Sequence, residues 1–333
     1  AIKGVGKGAV ETIIEHRKDQ RYESIFDLVK RIDLRAANKK AFENLTLAGG
    51  FDSFPNVKRA QYFNPDGDGV TFLEKVLRFG SKYQENLNSS QTILFSEETT
   101  STYQDLTIPD CEAWTNLIRL KKEKEVVGIY ISSHPLDDFT HEIEHFVTLS
   151  LNQLGDLDRL VNREFSIGGI VNEIQHLESR NGKGWARFVV EDFTDQYEFR
   201  IFGEDYLKYR HFLVVNQFVR LRLMIREGWT NRETGKVGAP RMQYLHFEML
   251  QNTVEHNAKK LTLQLEISQL KNESIFQLRD ELKSFKGDKP LMFNVYDSDK
   301  KVKLTLNSKK QKVKITPELL KLLDEKQWHY KLN

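Results

Sequence analysis

The sequence predicts a multidomain α+β protein that is helical at its start, five-stranded in its middle and mixed α/β at its end. Three observations carry this. Apolar residues recur at helical spacing up to about Tyr83, as Ile25, Leu28, Val29 and Ile32 do. From about Arg163 the pattern changes to short runs rich in β-branched and aromatic residues. Beyond residue 258, short strand-like and helix-like segments are mixed. A chain of 333 residues has material for two to four domains, each long enough to bury a core.

Composition narrows the function classes. The chain is 39% hydrophobic and 29% charged, with no apolar run near the length of a membrane span. No membrane contact is expected, and a cytoplasmic location is. The single Cys111 excludes a disulfide framework and any multi-cysteine zinc site. The nine histidines are scattered, so a metal-free chain is expected. Net charge is +2, which argues neither for nor against nucleic acid, but the distribution is uneven. Residues 1–63 carry twelve Lys/Arg against eight Asp/Glu, whereas 96–118 carry five acids and no base.

IKGVGKGAVETIIEHR, YESIFDLVKRI, NKKAFENLTLAG and VKRAQYF read as short helices joined by turns, making 1–83 one region. Residues 84–112, rich in Ser, Thr and acids, read as a linker. A helical connector spans 113–160. Within 164–252, EFSIGGIVNEI, GWARFVVEDF, QYEFRIFG, QFVRLRLMIREGW and PRMQYLHFEML are five candidate strands. A helix, EDYLKYRHFL, falls between the third and fourth, which is the order of an OB-fold β-barrel. Residues 259–333 read strand (LTLQLEI), helix (SIFQLRDELKSF), strand (PLMFNVYD), strand (KVKLTLN), short strand (KVKI) and helix (PELLKLLDEK).

The first residues hold a glycine turn directly before a helix. Gly4 and Gly6 flank Val5, as in the hairpin of a helix-hairpin-helix motif. Glycine permits φ > 0 and close backbone approach, and the amides that open a helix are unpaired donors at its positive end. Val5 would plug inward while Gly6, Lys7, Gly8 and Ala9 turn amides toward a phosphate, with Lys3 and Lys7 alongside. A plain helix connection needs the same glycines. A second unit favours the phosphate grip: NKKAFENLTLAGGFDSFPNVKRA turns at Gly49-Gly50 and opens a helix with Lys58 and Arg59. Such contacts go to the DNA backbone and read little sequence.

The barrel region carries equal numbers of acids and bases, so position decides. The strand 1–2 loop and its exit hold Arg180, Lys183, Trp185 and Arg187 with no acid, and Arg200 extends that surface. The strand 4–5 stretch adds Arg226, Trp229, Arg232 and Arg241. Those loops and strands 2–3 form the usual single-strand-binding surface of OB folds, where a tryptophan stacks a base at about 1–3 kcal/mol. The alternative is that both tryptophans cap the barrel and the arginines are solvated strand residues. In the linker, Gln91-Thr92-Ile93-Leu94-Phe95 places three apolar residues in a polar, acidic stretch, a pattern of a docking peptide or of a small packing patch.

Together these segments resemble the bacterial replicative DNA polymerase III alpha-subunit family. AIKGVGKGAVETIIEHR, YESIFDLVKRI and LAGGFDSF resemble its helix-hairpin-helix region. EKEVVGIYISSHPLDDF resembles its E-K-E-x-L-G-F-Y-L-S-G-H-P-L-D segment, with Ser133 in place of the usual Gly. FVVEDFTDQYEFRIF resembles its OB-strand signature, with Asp195 where a Gly usually stands. Gln-x-x-Leu-Phe resembles the peptide by which replication proteins hold the β sliding clamp, assigned here to Gln91, Leu94 and Phe95. The resemblance implies binding of duplex and single-stranded DNA, of the clamp, and, through 259–333, of the clamp-loader tau subunit. It also implies that the catalytic palm and a PHP domain lie upstream, so this portion is expected to be non-catalytic and without cofactor. Mg2+ is expected for the whole polymerase. Glu191-Asp192 is the best local carboxylate pair, but strand neighbours point to opposite faces, and a strand-end turn explains it better. NAD-dependent DNA ligase combines the same modules, but with a four-cysteine zinc site and the reverse module order. A tRNA-binding OB domain leaves the hairpins and Gln91–Phe95 unexplained.

Replacing Leu94 and Phe95 together by Ala is expected to abolish clamp binding in titration calorimetry. Unchanged affinity would remove the peptide's assignment.

Overall fold

The helical periodicity of the first third becomes helices in the computed structural model, which describes residues 1–88, 106–230, 233–270 and 272–333. Gln91, Leu94, Phe95 and Arg232 lie outside the described residues. The chain divides into two units, Ala1–Pro135 and Leu136–Asn333. The first unit contains α1 (Lys7–Asp19), α2 (Ile25–Arg31), α3 (Lys39–Leu47), α4 (Arg59–Phe63), α5 (Phe72–Asn88) and α6 (Asn116–Val127). Ser24 and Asn38 start α2 and α3 by accepting the Asp27 and Ala41 amides, which satisfies donors the helix itself leaves open. The helices bury Leu28, Val29, Phe42, Phe51, Tyr62, Phe72 and Val76 in one core. Helix α5 runs past its expected end at Tyr83, because Gln84 donates from Nε2 to the Val29 and Ile32 carbonyls at 2.8 Å each and ties the helix to the end of α2.

A buried charge network crosses this unit. Arg59 is 8% exposed; its Nε donates to Asp52 at 2.8 Å, and its Nη1 donates to both the Leu47 carbonyl at 3.1 Å and Glu123 at 3.4 Å. Glu123 on α6 is fully buried and accepts the Ile131 amide at 2.8 Å, the Ser132 amide at 2.7 Å and the Ser132 hydroxyl at 2.6 Å. Burial pushes the Glu123 carboxyl up, but these hydrogen bonds and Arg59 outweigh it and hold it below its usual value. The first Glu of EKEVVGIYISSHPLDDF is thus the anchor of the turn that follows α6, which ends at Gly128 in the left-handed region (φ 95°).

In the second unit, α7 (Thr140–Phe146) leads into β1 (Glu164–Glu178), β2 (Gly184–Glu191), β3 (Gln196–Phe202), α8 (Gly203–Tyr209), β4 (Phe218–Arg226) and β5 (Arg241–Met249). These strands form one antiparallel sheet in the order β3-β2-β1-β4-β5 around a core that includes Phe188, Phe199, Leu221 and Phe247. Strand number, order and the helix after β3 are those expected of the OB fold. Barrel closure is not observed: no β3–β5 ladder forms among the described residues, and the buried Tyr244 reaches across by donating to the Arg200 carbonyl at 2.9 Å.

Helix α9 (Leu250–Asn257) leads to a second sheet, ordered β8-β7-β6-β9, from β6 (Leu261–Glu266), β7 (Lys286–Asp297), β8 (Val302–Val313) and β9 (Tyr330–Leu332). Helix α10 (Asn272–Ser284) makes the crossover between the parallel pair β6 and β7, and α11 (Pro317–Glu325) packs Leu319, Leu320 and Leu323 into the core. The two strands expected at KVKLTLN and KVKI are one continuous β8. A bulge opposite Pro290–Met292 absorbs the register change that the polar SKKQ stretch suggested was a break. Strand β9 was not anticipated; three residues paired to β6 are too short a pattern to read.

Gly49 adopts φ +84°, and a Cβ there would sit 2.1 Å from an Arg59 guanidinium nitrogen. Gly49→Ala is therefore expected to destabilise the first unit by at least about 2 kcal/mol, from left-handed strain and from displacing Arg59 off Asp52 and the buried Glu123. Chemical denaturation of the full chain measures this. A loss below about 0.5 kcal/mol would mean the network is dispensable.

Candidate nucleic-acid interface

The first hairpin is built as its glycines require. Gly4 adopts φ +70°, and a Cβ there would lie 2.7 Å from the Asn44 amide nitrogen. Asn44 of α3 donates to the Lys3 carbonyl, and the Lys3 amide donates to the Val126 carbonyl at the end of α6 at 2.8 Å. The turn is thus clamped from two helices. Val5 packs against the core, and Ala9 is buried. Gly6, Lys7 and Gly8 are exposed at the start of α1, where no side chain caps the helix. Lys3 and Lys7 flank this end, and Lys7 pairs with the exposed Glu11 at 3.4 Å. An uncapped, exposed helix start with two lysines presents donors and positive potential to an anion.

The second hairpin differs. Gly49 and Gly50 follow the end of α3, their amides bonding to the Thr46 and Leu45 carbonyls at 3.1 and 2.8 Å. Helix termination and the space for Arg59 account for both glycines. The expectation that Arg59 faces a phosphate is corrected: its guanidinium is buried and committed to Asp52 and Glu123. Lys58 is exposed, but its amide is taken by Gln61 at 2.7 Å. Lys58 and Arg119 line a hollow of about 440 Å³, and Arg119 has a buried Nε without an acceptor. The sequence reading missed Arg119, because only the fold of α6 brings it beside residue 58.

On the first sheet, cross-strand registry sorts the expected residues into rows. Leu177 lies opposite Trp185, and Trp185 opposite Phe202. The Trp185 and Phe202 rings are stacked, with centroids 5.1 Å apart at 17°, and Phe202 is 57% exposed. The next row is Gln175, Arg187 and Arg200. Glu198 pairs with both arginines, at 3.3 and 3.0 Å, and offsets their mutual repulsion. Inward-facing Ala186, Phe188 and Val190 alternate with this outward face, as the strand pattern requires. Arg180 and Lys183 are exposed in the adjoining loop. Phe202 and Leu177 went unnoticed in the sequence because each sits at a strand end, and only registry puts them beside Trp185.

The strand 4–5 stretch is less basic than its composition. Arg220 is buried against Glu248 at 2.6 Å and the Phe146 carbonyl, and Arg222 pairs with Glu164. Arg226 bonds Gln243 at 2.8 Å. Trp229 is 75% exposed, with the Arg241 guanidinium 3.9 Å from its ring centroid, a cation–π contact that holds an aromatic face at the surface.

The carboxylate pair is structural. Asp192 accepts the Thr194 and Asp195 amides at 2.7 and 2.9 Å and closes the β2–β3 turn, while Glu191 takes the Asn172 side chain. Asp195 is not in the left-handed region, so this turn does not need the family's glycine. His141 and His145 do stand four apart on α7, the spacing of a helical metal pair that the sequence reading passed over. His141 meets Tyr330 at 3.3 Å and Asp324 at 3.5 Å, and burial holds His145 below its usual pKa. Among the described residues no group of three or more His, Cys, Asp or Glu is placed to hold a metal.

With this geometry in place, comparison with known proteins is informative. A helix-hairpin-helix family profile matches residues 1–62, and the profile of the DNA polymerase III alpha subunit, C-terminal domain, matches residues 261–333. DNA polymerase III subunit alpha of Pseudomonas fluorescens is 24% identical over 321 residues, 91% of this chain. The chain belongs to the DNA polymerase III alpha-subunit family. The alpha subunit of Bacillus subtilis is 26% identical over 86% of the chain, and that of Borreliella burgdorferi 30% identical over 64%. The chain spans 26%, 24% and 18% of these three alpha subunits, respectively. A small single-stranded DNA-binding protein from Streptomyces coelicolor aligns with 26% of this chain at 13% identity and a TM-score of 0.15, and the OB-like topology of the sheet is read from its own strand order. No helix among the described residues is long and apolar enough to cross a membrane.

Replacing Trp185 and Phe202 by Ala is expected to lower oligo-dT affinity by about 1–3 kcal/mol for each base unstacked, with an unchanged circular dichroism spectrum. Equal affinity in fluorescence anisotropy would mean that the aromatic row binds no base.

Proposed function

We propose that this chain is the DNA- and partner-binding C-terminal region of a replicative DNA polymerase, acting by tethering rather than chemistry. The observation that carries the reading is the order of its parts. A helix-hairpin-helix region and the C-terminal domain of the alpha-subunit family bracket a sheet with OB strand order, and that sheet exposes an aromatic row beside a basic one. Lys3, Gly4, Gly6, Lys7 and Gly8 grip duplex phosphates through the opening amides of α1. The second turn contributes through Lys58 and the neighbouring Arg119. The outward β2–β3 face, with Arg180, Lys183, Trp185, Arg187, Arg200 and Phe202, follows single-stranded template as an OB-fold surface does. Trp229 and Arg241 extend that path, and Arg226 and Arg232 belong to the same strand 4–5 stretch.

Gln91, Leu94 and Phe95 hold the β sliding clamp, and 259–333 bind the tau subunit. Each tether raises the effective concentration of the primer terminus at the polymerase and so its processivity. Polymerisation and its Mg2+ belong to the whole polymerase, and this region supplies neither palm carboxylates nor a cofactor of its own. Its place is the cytoplasm, at the nucleoid. Relatives that are polymerase subunits, rather than ligases or synthetases, favour this reading over the two alternatives.

Gly6→Asp places a carboxylate where a phosphate would sit. It is expected to weaken binding to duplexes of any sequence by about tenfold at low salt while leaving oligo-dT affinity unchanged. Equal duplex affinity in anisotropy titrations would remove the hairpin's role.

A further inference from the structure

The strongest concentration of positive charge lies outside every surface described so far. Residues 259–333 carry seventeen Lys/Arg against ten Asp/Glu, whereas the whole chain has a net charge of only +2. Residues 1–258 are therefore net acidic taken together, although 1–63 are themselves net basic, and the largest regional excess of positive charge lies at this end. The fold gathers part of it at one place. Lys283 at the end of α10, Lys286 at the start of β7, and Lys309, Lys310 and Lys312 on β8 line a single hollow of about 560 Å³. The β7–β8 bulge opposite Pro290–Met292 adapts the register where this end of the hairpin meets α10. Strand β8 is paired to β7 on one side only and forms the sheet edge, so the lysines stand at that edge.

No acid lines this hollow. Lys283 meets Asp280 at 2.8 Å, but Lys286, Lys309, Lys310 and Lys312 are exposed and form no ion pair among the described residues. Five ammonium groups around one concavity repel one another and condense counter-anions, which a polyanion displaces with a gain in entropy. The walls also indicate which polyanion. Beside the lysines there are only Gly287 and Gln311, with no aliphatic or aromatic residue to seat an apolar anchor. A protein partner binds chiefly through such anchors, whereas a phosphodiester strand needs only charge. Lysines act as point charges rather than planar forks, which suits phosphate positioning without base reading.

We propose that this hollow is a second, sequence-independent nucleic-acid site, holding the phosphate backbone of single-stranded DNA at the edge of the C-terminal sheet. It is separate from the aromatic face of β2–β3 and adds electrostatic grip without stacking.

The test uses the full chain with Lys309, Lys310 and Lys312 all changed to Gln, and in parallel all changed to Arg. With labelled oligo-dT of about thirty nucleotides, the Gln variant should bind about tenfold more weakly near 0.1 M salt. Its log K against log salt should be flatter by about 2. The Arg variant should match the unaltered chain, and circular dichroism should be the same for all three. Unchanged affinity and slope in the Gln variant would overturn the proposal. The same substitutions in a Trp185→Ala/Phe202→Ala background separate the two surfaces. A lysine effect that persists there supports this site whatever becomes of the aromatic face, and a lysine effect that vanishes there overturns it. Polyglutamate serves as the acidic-polypeptide probe. If the Gln variant loses polyglutamate binding but keeps oligo-dT binding, the hollow takes acidic protein and the proposal fails.

Discussion

The hairpin unit depends on one buried cation. Arg59 sits between Asp52, the Leu47 carbonyl and Glu123, and Glu123 in turn gathers the backbone beyond α6. A guanidinium removed from water is tolerated only when its donors are met, and here two carboxylates and a carbonyl meet them. The consequences reach the surface. The network fixes α6 against the α3–α4 turn, the end of α6 receives the Lys3 amide, and α3 receives the Lys3 carbonyl through Asn44. The exposed start of α1 is therefore held by groups tens of residues away in sequence. Rigid placement of this kind is what the proposed anion site requires of its backbone amides.

The sheet of the second unit follows a different economy. Its inner face is closed by ordinary apolar alternation, which leaves the outer face free to carry two adjacent rows, one aromatic and one basic. Glu198 shows the balance involved: it lowers the repulsion between Arg187 and Arg200, and a phosphate would have to compete with it for both. In the proposed reading, stacking on Trp185 and Phe202 carries no such competition, so the aromatic row would contribute affinity and the arginines path.

Much of this was legible in the residues themselves. Helices α1 to α4 and strands β1 to β5 follow from apolar period and β-branched runs, because each buries one face against a large core. Glycine before a helix was equally legible at Gly4, where a left-handed turn admits little else. Charge was read less well. Arg59, Arg220 and Arg222 look like solvated bases in sequence, yet each is matched to a carboxylate 7, 28 or 58 residues away. The continuous β8 and the three-residue β9 were also illegible, since a bulge and a short ladder leave no periodic trace.

The sequence by itself determined the order of the parts, the identity of the glycine turn and the alternation that turns Trp185 and Arg187 outward. Those properties are local: they depend on dihedral freedom and on periods of two or 3.6 residues. Tertiary structure alone decided which charges remain available to a partner. It withdrew Arg59 and Arg220 into ion pairs, set Phe202 beside Trp185, and collected lysines from α10, β7 and β8 around one hollow. The reason is physical. Whether a charge is spent inside the fold or left for solvent depends on which opposite charge the chain brings within a few ångströms, and that distance has no representation in linear sequence.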